Sequence, residues 1–311
     1  MIRNDGADGK LFIRGENYES EYPRPKHFFI HISDTHITAS DDAGGLYGST
    51  VYSFDNLTRL FRRLRGTQLR PEALIFTGDL ADTGETGAYQ KIRALVEPIA
   101  AELDTKVIWV MGNHDNRITF RTELLGQENA TLDYVDEVHW FGGLRLIVLD
   151  STVHGAHWGA FSDSQLAWLQ SELATAAPEG TILAMHHPPI PSVVLSAVSV
   201  ELTGQRRLAE VLRASDVRGI IAGHLHYSTS AMFAGIPVSV ASATCYTQDL
   251  DIPNGALRAR DGGQAFNFVH VYDDTVVHSV VPLGDFPVMK EVTSVDVMRD
   301  LRASGFVGFP N

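Results

Sequence analysis

Residues 28–36 read FFIHISDTH: a five-residue strand-like run, FFIHI, that passes directly into a cluster holding a carboxylate, Asp34, and an imidazole, His36. A strand with continuous apolar character is covered on both faces, so this one belongs to the interior of a layered fold. The same cadence recurs downstream. ALIF (73–76) ends at Thr77-Gly78-Asp79, VIWVM (107–111) at Gly112-Asn113-His114-Asp115, and LRLIVL (144–149) at Asp150-Ser151. TILAM (181–185) ends at His186-His187-Pro188-Pro189, and GIIA (219–222) at Gly223-His224-Leu225-His226. Sites in α/β sheets form beyond the carboxyl ends of strands, so these polar clusters are expected to converge.

Segments of helical period separate the strands. Phe54, Leu57, Leu60, Phe61 and Leu64 share one helical face. Ser162-Asp163-Ser164-Gln165 reads as a capping box opening a helix that carries Leu166, Leu169 and Leu173. The segment 86–103 contains Pro98, which predicts a kink or a stop near Glu97. Past residue 230, GIPVSVAS, FNFVHVY and TVVHSVVPL predict a second, largely antiparallel sheet packed on the first. Residues 1–25 read as a polar N-terminal extension, a tail or strap; 26–283 as the domain; and 284–311 as a C-terminal extension with an amphipathic helix around Val295, Met298 and Leu301.

Of the 311 residues 44% are hydrophobic and 20% charged, which allows a sizeable core. The formal charge of −13 opposes broad binding to nucleic acid or anionic membrane, since both need basic surface. A phosphate substrate stays compatible where bound cations supply local positive charge. The single cysteine, Cys245, and the absence of a secretory-type stretch or a run of about 18 apolar residues predict a cytoplasmic protein with no membrane span.

Asp34 and His36 stand two residues apart, as do His224 and His226, a spacing that puts both side chains on one side of an extended chain. With Asp79, Asn113 and His186 they make a set of N and O donors too large for one four-coordinate zinc ion. Two ions bridged by a carboxylate suit them, and without thiolates the set favours Mn, Fe, Co or Zn.

Taken in order, Asp-x-His (34–36), Gly-Asp (78–79), Gly-Asn-His-Asp (112–115), His-His (186–187) and Gly-His-x-His (223–226) resemble the motif series of calcineurin-like metallophosphoesterases. The resemblance implies an α/β fold, a four-layer α-β-β-α sandwich of two mixed sheets with a dinuclear metal site at the strand C-terminal ends. It implies that Asp34, His36 and His226 hold one ion and Asn113, His186 and His224 the other, with Asp79 bridging. His114 is then the general acid for the leaving oxygen, with Asp115 orienting it, and a metal-bound hydroxide is the nucleophile. His157 matches a substrate-contacting loop position of the family. Manganese and/or iron are the ions expected, with zinc or cobalt as alternatives, and relatives of this kind are often homodimers.

RPEALIFTGDLADTGE (70–85), HHPPIPSV (186–193) and AGHLHYSTSAMFAGIPVSVASATCYTQDL (222–250) are similar to bacterial class III cyclic-nucleotide phosphodiesterases. That similarity implies hydrolysis of 3′,5′-cyclic AMP to 5′-AMP, with cyclic GMP a poorer substrate. A broad phosphodiesterase acting on 2′,3′-cyclic nucleotides or glycerophosphodiesters is the alternative enzyme, and a metal-containing binding protein the alternative of another class. Other residues carry blander expectations. His31 reads as a core histidine, His187 as structural or adjoining the site, Asp150 as a cap or turn residue, and Asp41 and Asp42 as a solvated loop pair. His139, His270, His278 and Cys245 read as ordinary structure.

Overall fold

The computed structural model describes residues 10–13, 16–19, 22–40, 52–67, 69–253 and 256–305. The chain divides into two units, Met1–Lys26 with Asp285–Asn311, and His27–Gly284. In the first unit β1 (Lys10–Ile13) and β2 (Glu16–Glu19) pair antiparallel, so part of the expected tail is a hairpin. The C-terminal helix spans Ser294–Ala303; the side chains of Val295 and Met298 lie outside the described ones.

The second unit begins with β3 (His27–Ile32), α1 (Ser53–Arg65), β4 (Ala73–Thr77), α2 (Thr86–Leu103), β5 (Lys106–Val110) and α3 (Arg117–Glu123). It continues with β6 (Glu137–Phe141), β7 (Leu144–Leu149), α4 (Asp163–Glu172), β8 (Thr181–Met185), α5 (Gln205–Leu212) and β9 (Val217–Ala222). The last strands are β10 (Thr229–Phe233), β11 (Ile236–Val240), β12 (Thr247–Gln248), β13 (Ala259–Arg260), β14 (Ala265–Val271) and β15 (Val276–Pro282).

Two large sheets result, ordered β15-β14-β3-β4-β5 and β10-β11-β9-β8-β7-β6. Both are mixed. In the first, β3, β4 and β5 are parallel while β14 is antiparallel to β3. In the second, β7, β8, β9 and β11 are parallel, with β6 and β10 antiparallel at the edges. The separate antiparallel sheet expected past residue 230 is therefore corrected. Its strands divide between the two sheets, because β3 and β9 would otherwise present unpaired backbone edges, which β14 and β11 cover.

Three cores explain why the motif-bearing strands are apolar on both faces. Leu57, Leu60 and Phe61 of α1 and Ile92 and Val96 of α2 pack on Ile30, Ile32, Leu74 and Phe76. Leu166 and Leu169 of α4 and Leu208 and Leu212 of α5 cover Leu149, Leu183 and Ile220. The alternate residues Phe29, Ile75, Ile108, Leu146, Ile182, Ile221 and Val269 pack the two sheets against each other. The layers thus run helix, sheet, sheet, helix.

Local expectations fared unevenly. The Ser162–Gln165 capping box is formed, with Ser162 Oγ accepting from Gln165 N. Phe54 departs from its predicted face, remaining 36% exposed in the first turn of α1. Helix α2 does not stop at Glu97 but continues through Pro98. Pro98 and Ala94, whose carbonyl the proline leaves without a donor, are both exposed, so the lost bond falls on the solvent side of the helix.

Candidate active site

Beyond the strand ends the chain turns sharply. Asp34 (φ 52°), His36 (φ 42°), Asp79 (φ 49°), His224 (φ 72°) and His226 (φ 56°) all occupy the left-handed region. Residues bearing a Cβ rarely adopt it, and such conformers cluster where a site over-determines them. The extended-chain rationale for the paired ligands is corrected accordingly. Asp34 with His36, and His224 with His226, reach the cluster from left-handed turns past β3 and β9. Backbone bonds tie these turns together: Asp34 N donates to Gly78 O (3.1 Å), His36 N to Asp79 O (2.9 Å) and Gly223 N to His186 O (3.0 Å). A Cβ at Gly112 would overlap Asp79, and one at Gly223 would overlap Ser33 and Asp34, which is why these turns need glycine.

The donor atoms of Asp34, His36, Asp79 and His226 lie within 4.8 Å of one another, and all four residues are buried. Asp79 Oδ2 stands between two histidines, 3.4 Å from His36 Nε2 and 3.3 Å from His186 Nε2. His186 Nε2 in turn lies 3.1 Å from Asn113 Oδ1 and 3.3 Å from His224 Nδ1. Asp34 Oδ1 is 3.4 Å from His226 Nε2, and the Asp34 carboxylate accepts from His224 N. The structure therefore brings Asp34, His36, Asp79, Asn113, His186, His224 and His226 to one place.

Each imidazole is anchored by its other nitrogen. His186 Nδ1 donates to Thr77 O (2.7 Å), His224 Nε2 to Val200 O (2.9 Å) and His226 Nδ1 to Tyr246 O (3.1 Å). His36 Nδ1 donates to Asp82 Oδ1 (2.9 Å). A carbonyl can only accept, so in the neutral rings the nitrogen turned towards the cluster carries a lone pair. His36 Nε2 is buried with no hydrogen-bond partner. Lone pairs and carboxylates aimed at one another repel unless cations stand between them, so this donor set fits metal ions.

Protons show the same demand for positive charge. Burial opposes charging His36, yet the Asp79 and Asp82 carboxylates beside its ring lift its pKa to about 10. Burial likewise opposes charge on His186, and the Asp79 carboxylate lifts it to about 9. Burial raises Asp34, but His226 more than offsets this and leaves it at about 2. At His224 burial and the neighbouring His186 act together and lower the pKa to about 3.

His114 lies at the edge of the cluster, its ring 4.7 Å from that of His36. Its orientation differs from expectation. Its Nδ1 donates to Asp82 O (2.7 Å), whereas the Asp115 carboxylate accepts from the backbone of Leu80, Ala81 and Gly112 and from Tyr89 Oη. Asp115 shapes the turn because four donors converge on it, and Asp82 positions the His114 ring. His157 Nδ1 accepts from Asn113 Nδ2 (3.0 Å), which turns Asn113 Oδ1 towards His186.

Asp82, Thr77, Val200 and the carbonyl of Tyr246 were not singled out in the sequence, where Tyr246 and its neighbours in 244–250 figure only as residues that could contact the base. For Asp82 the Asp79-Leu80-Ala81-Asp82 string was a usable signal; the other three act through backbone carbonyls, which no side-chain motif reports. His187 is buried between Ser151 Oγ and His157 O, and His31 bonds Thr77 Oγ1 inside the core. Asp150 ties Arg117, Val135 N and Thr152. Asp41 and Asp42 lie outside the described residues.

Above the cluster opens a cavity of about 290 Å³. His36, Asp79, Asn113, His114, His157, His224 and His226 form its floor, with Val194, Ala197, Val200, Tyr227, Gln248 and Leu257 among its walls.

A family model for calcineurin-like phosphoesterases matches residues 29–228. The chain is 58% identical over 290 residues to a probable cyclic nucleotide phosphodiesterase of Rhodococcus erythropolis, covering 92% of this chain and 94% of that one. It is also 58% identical over 265 residues to a cAMP/cGMP dual specificity phosphodiesterase of Mycobacterium tuberculosis, covering 85% and 82%. Its fold is similar to that of a dimetal phosphatase from Danio rerio, with a TM-score of 0.60 at 17% identity over 84% of this chain and 98% of the other.

Proposed function

Because the chain belongs to the calcineurin-like phosphoesterase family, we propose that it hydrolyses 3′,5′-cyclic AMP, and cyclic GMP less well, to the 5′-nucleotide. The observation that carries this reading is the ring of inward-turned nitrogens around the Asp79 carboxylate, beneath an open cavity large enough for a small ester.

In this reading Asp34, His36 and His226 would hold one metal ion and Asn113, His186 and His224 a second, with the Asp79 carboxylate shared between the two. When bound, the ions supply charge neutralisation at the phosphoryl oxygens and activation of water for in-line attack. His114 donates the proton to the leaving oxygen. Its Nδ1–H is held by the Asp82 carbonyl, which leaves Nε2 to deliver that proton from the cavity floor. His157 holds the Asn113 amide and faces the same cavity, so it acts on both metal and substrate. Asp115 holds the turn on which Asn113 and His114 sit.

The family resemblance supports manganese and/or iron as the ions, with zinc or cobalt as alternatives, and supports a homodimer. A cytoplasmic location suits a chain whose one cysteine is free and buried. Among the described residues no helix is long and apolar enough to cross a membrane.

The test strips the metal, reloads with manganese, and measures 5′-AMP formed from cyclic AMP beside bis(p-nitrophenyl) phosphate. Both reactions are expected, and both should vanish in Asn113→Ala. Turnover of glycerophosphodiesters or 2′,3′-cyclic nucleotides far above that of cyclic AMP would replace the substrate assignment. Metal-loaded protein inactive on every ester would replace the enzyme reading with that of a binding protein.

A further inference from the structure

The cavity has two different walls above its metal-facing floor. On one side stands a 3-10 turn, Leu195–Val200, which with Val194 contributes Ala197 and Val200. On the other, β12 and β13 pair antiparallel and bring Gln248 and Leu257 to the rim. Asp249, next to Gln248, is 4% exposed and binds both Arg258 Nε (2.5 Å) and Arg260 Nε (2.7 Å), which closes this hairpin. Gln248 N donates to His226 O (3.1 Å), so the residue is fixed directly to a motif of the floor.

Within these mainly apolar walls Gln248 stands out. Its side-chain oxygen has no hydrogen-bond partner and is covered by its surroundings, so it meets a ligand only once the side chain turns into the cavity. A buried amide oxygen left without a donor is unfavourable, so a turn that takes a donor from a ligand is favoured. A slot whose sides are mainly apolar, with the Tyr227 and Tyr246 rings, Ser196 and one amide among its lining, matches a flat heterocycle, whose faces are apolar and whose rim carries donors and acceptors.

We propose that Gln248 is the base-reading residue of this site and that it binds the purine edge of a cyclic nucleotide between the 194–200 segment and the paired strands β12 and β13. The inference rests on the cyclic-nucleotide reading above and names the residue that recognises the base. A primary amide has an acceptor and a donor side by side. With adenine, the side-chain oxygen takes the exocyclic N6–H while the amide N–H meets a ring nitrogen. With guanine, the oxygen takes N1–H while the amide N–H meets O6. One side chain thus accepts both purines, whereas a carboxylate, which only accepts, suits the adjacent N1–H and N2–H donors of guanine and not the adenine edge.

The test uses the metal-loaded full chain and its Gln248→Leu and Gln248→Glu variants, with kcat and KM measured on cyclic AMP, cyclic GMP and bis(p-nitrophenyl) phosphate. In Gln248→Leu, kcat/KM on cyclic AMP is expected to fall about tenfold or more, chiefly through KM, and by at least about tenfold more than on the baseless diester. In Gln248→Glu the cyclic GMP to cyclic AMP ratio is expected to rise by about tenfold. Equal losses on the three substrates, or an unmoved purine ratio in Gln248→Glu, would overturn the assignment while leaving the cyclic-nucleotide reading intact. A parent enzyme that cleaves the synthetic diester but neither cyclic nucleotide would overturn both.

Discussion

The floor and the walls of this one cavity are built in opposite ways. The floor is made of short turns at the ends of parallel strands, cross-bonded through the backbone and held in the left-handed region, with each imidazole anchored from behind. The walls are a 3-10 turn and a two-stranded hairpin outside both large sheets, with Leu257 still 49% exposed. Rigid donors suit the placement of charge against a phosphate, which every substrate shares. A more open wall suits the variable part of the ligand. The difference teaches that the two functions can be broken separately.

The largest separation comes at the bridge. Asp79→Asn removes the carboxylate charge between His36 and His186, and turnover of every diester is expected to fall about 10³-fold or more. Bound metal, measured by elemental analysis, should fall with it. Retained activity on any diester would contradict the role of the floor.

One layer out, Asp82→Ala frees His36 Nδ1 from its acceptor, and metal affinity is expected to weaken by about 10- to 100-fold. Competition against a chelator reads this directly. On the wall, Asp249→Ala releases both hairpin arginines and should raise KM for cyclic AMP by about two- to fivefold, with a smaller change on bis(p-nitrophenyl) phosphate. Equal changes on both substrates would erase the distinction between floor and wall.

Protons sharpen the same contrast. Without a cation His36 and His186 titrate near 10 and 9, so both are charged at pH 7, and loading metal must displace those protons. About two protons should be released on saturation at pH 7, read from calorimetry in buffers of different ionisation enthalpy. Metal affinity consequently drops as pH falls.

A smaller effect lies behind the loop that carries His157. Burial raises Asp136, hydrogen bonds from Asp150 N and Gln165 lower it less, and its pKa settles at about 6. A carboxyl raised on folding binds more protons in the native state, so its contribution favours folding below about pH 4 and is lost as pH rises to about 6. Asp136→Asn should therefore gain stability relative to the parent between pH 4 and pH 7, by on the order of 1 kcal/mol. Melting temperatures across that range test the sign.

Much of the fold and the floor was legible because strands and their terminal clusters are local. Apolar runs such as FFIHI and TILAM announced strands covered on both faces, and the polar clusters after them announced the site. Strand pairing was not legible. That β14 closes the edge of β3 while β11 joins β9 depends on which edges stay open after the parallel strands have paired. That the helix does not stop at Pro98 was illegible for a related reason, since exposure of the residues around the freed carbonyl is a tertiary property.

By itself the sequence determined the layered α/β class, the order of the chemical groups and the family resemblance they carry, because residue identity and spacing along one strand end are covalent facts. Only the tertiary structure decided which nitrogen of each histidine turns inward, that Asp82 and not Asp115 positions His114, and that Gln248 stands in the wall of the cavity. Those choices depend on backbone carbonyls and side chains brought together from distant segments, such as Val200 against His224, and no local pattern encodes such meetings.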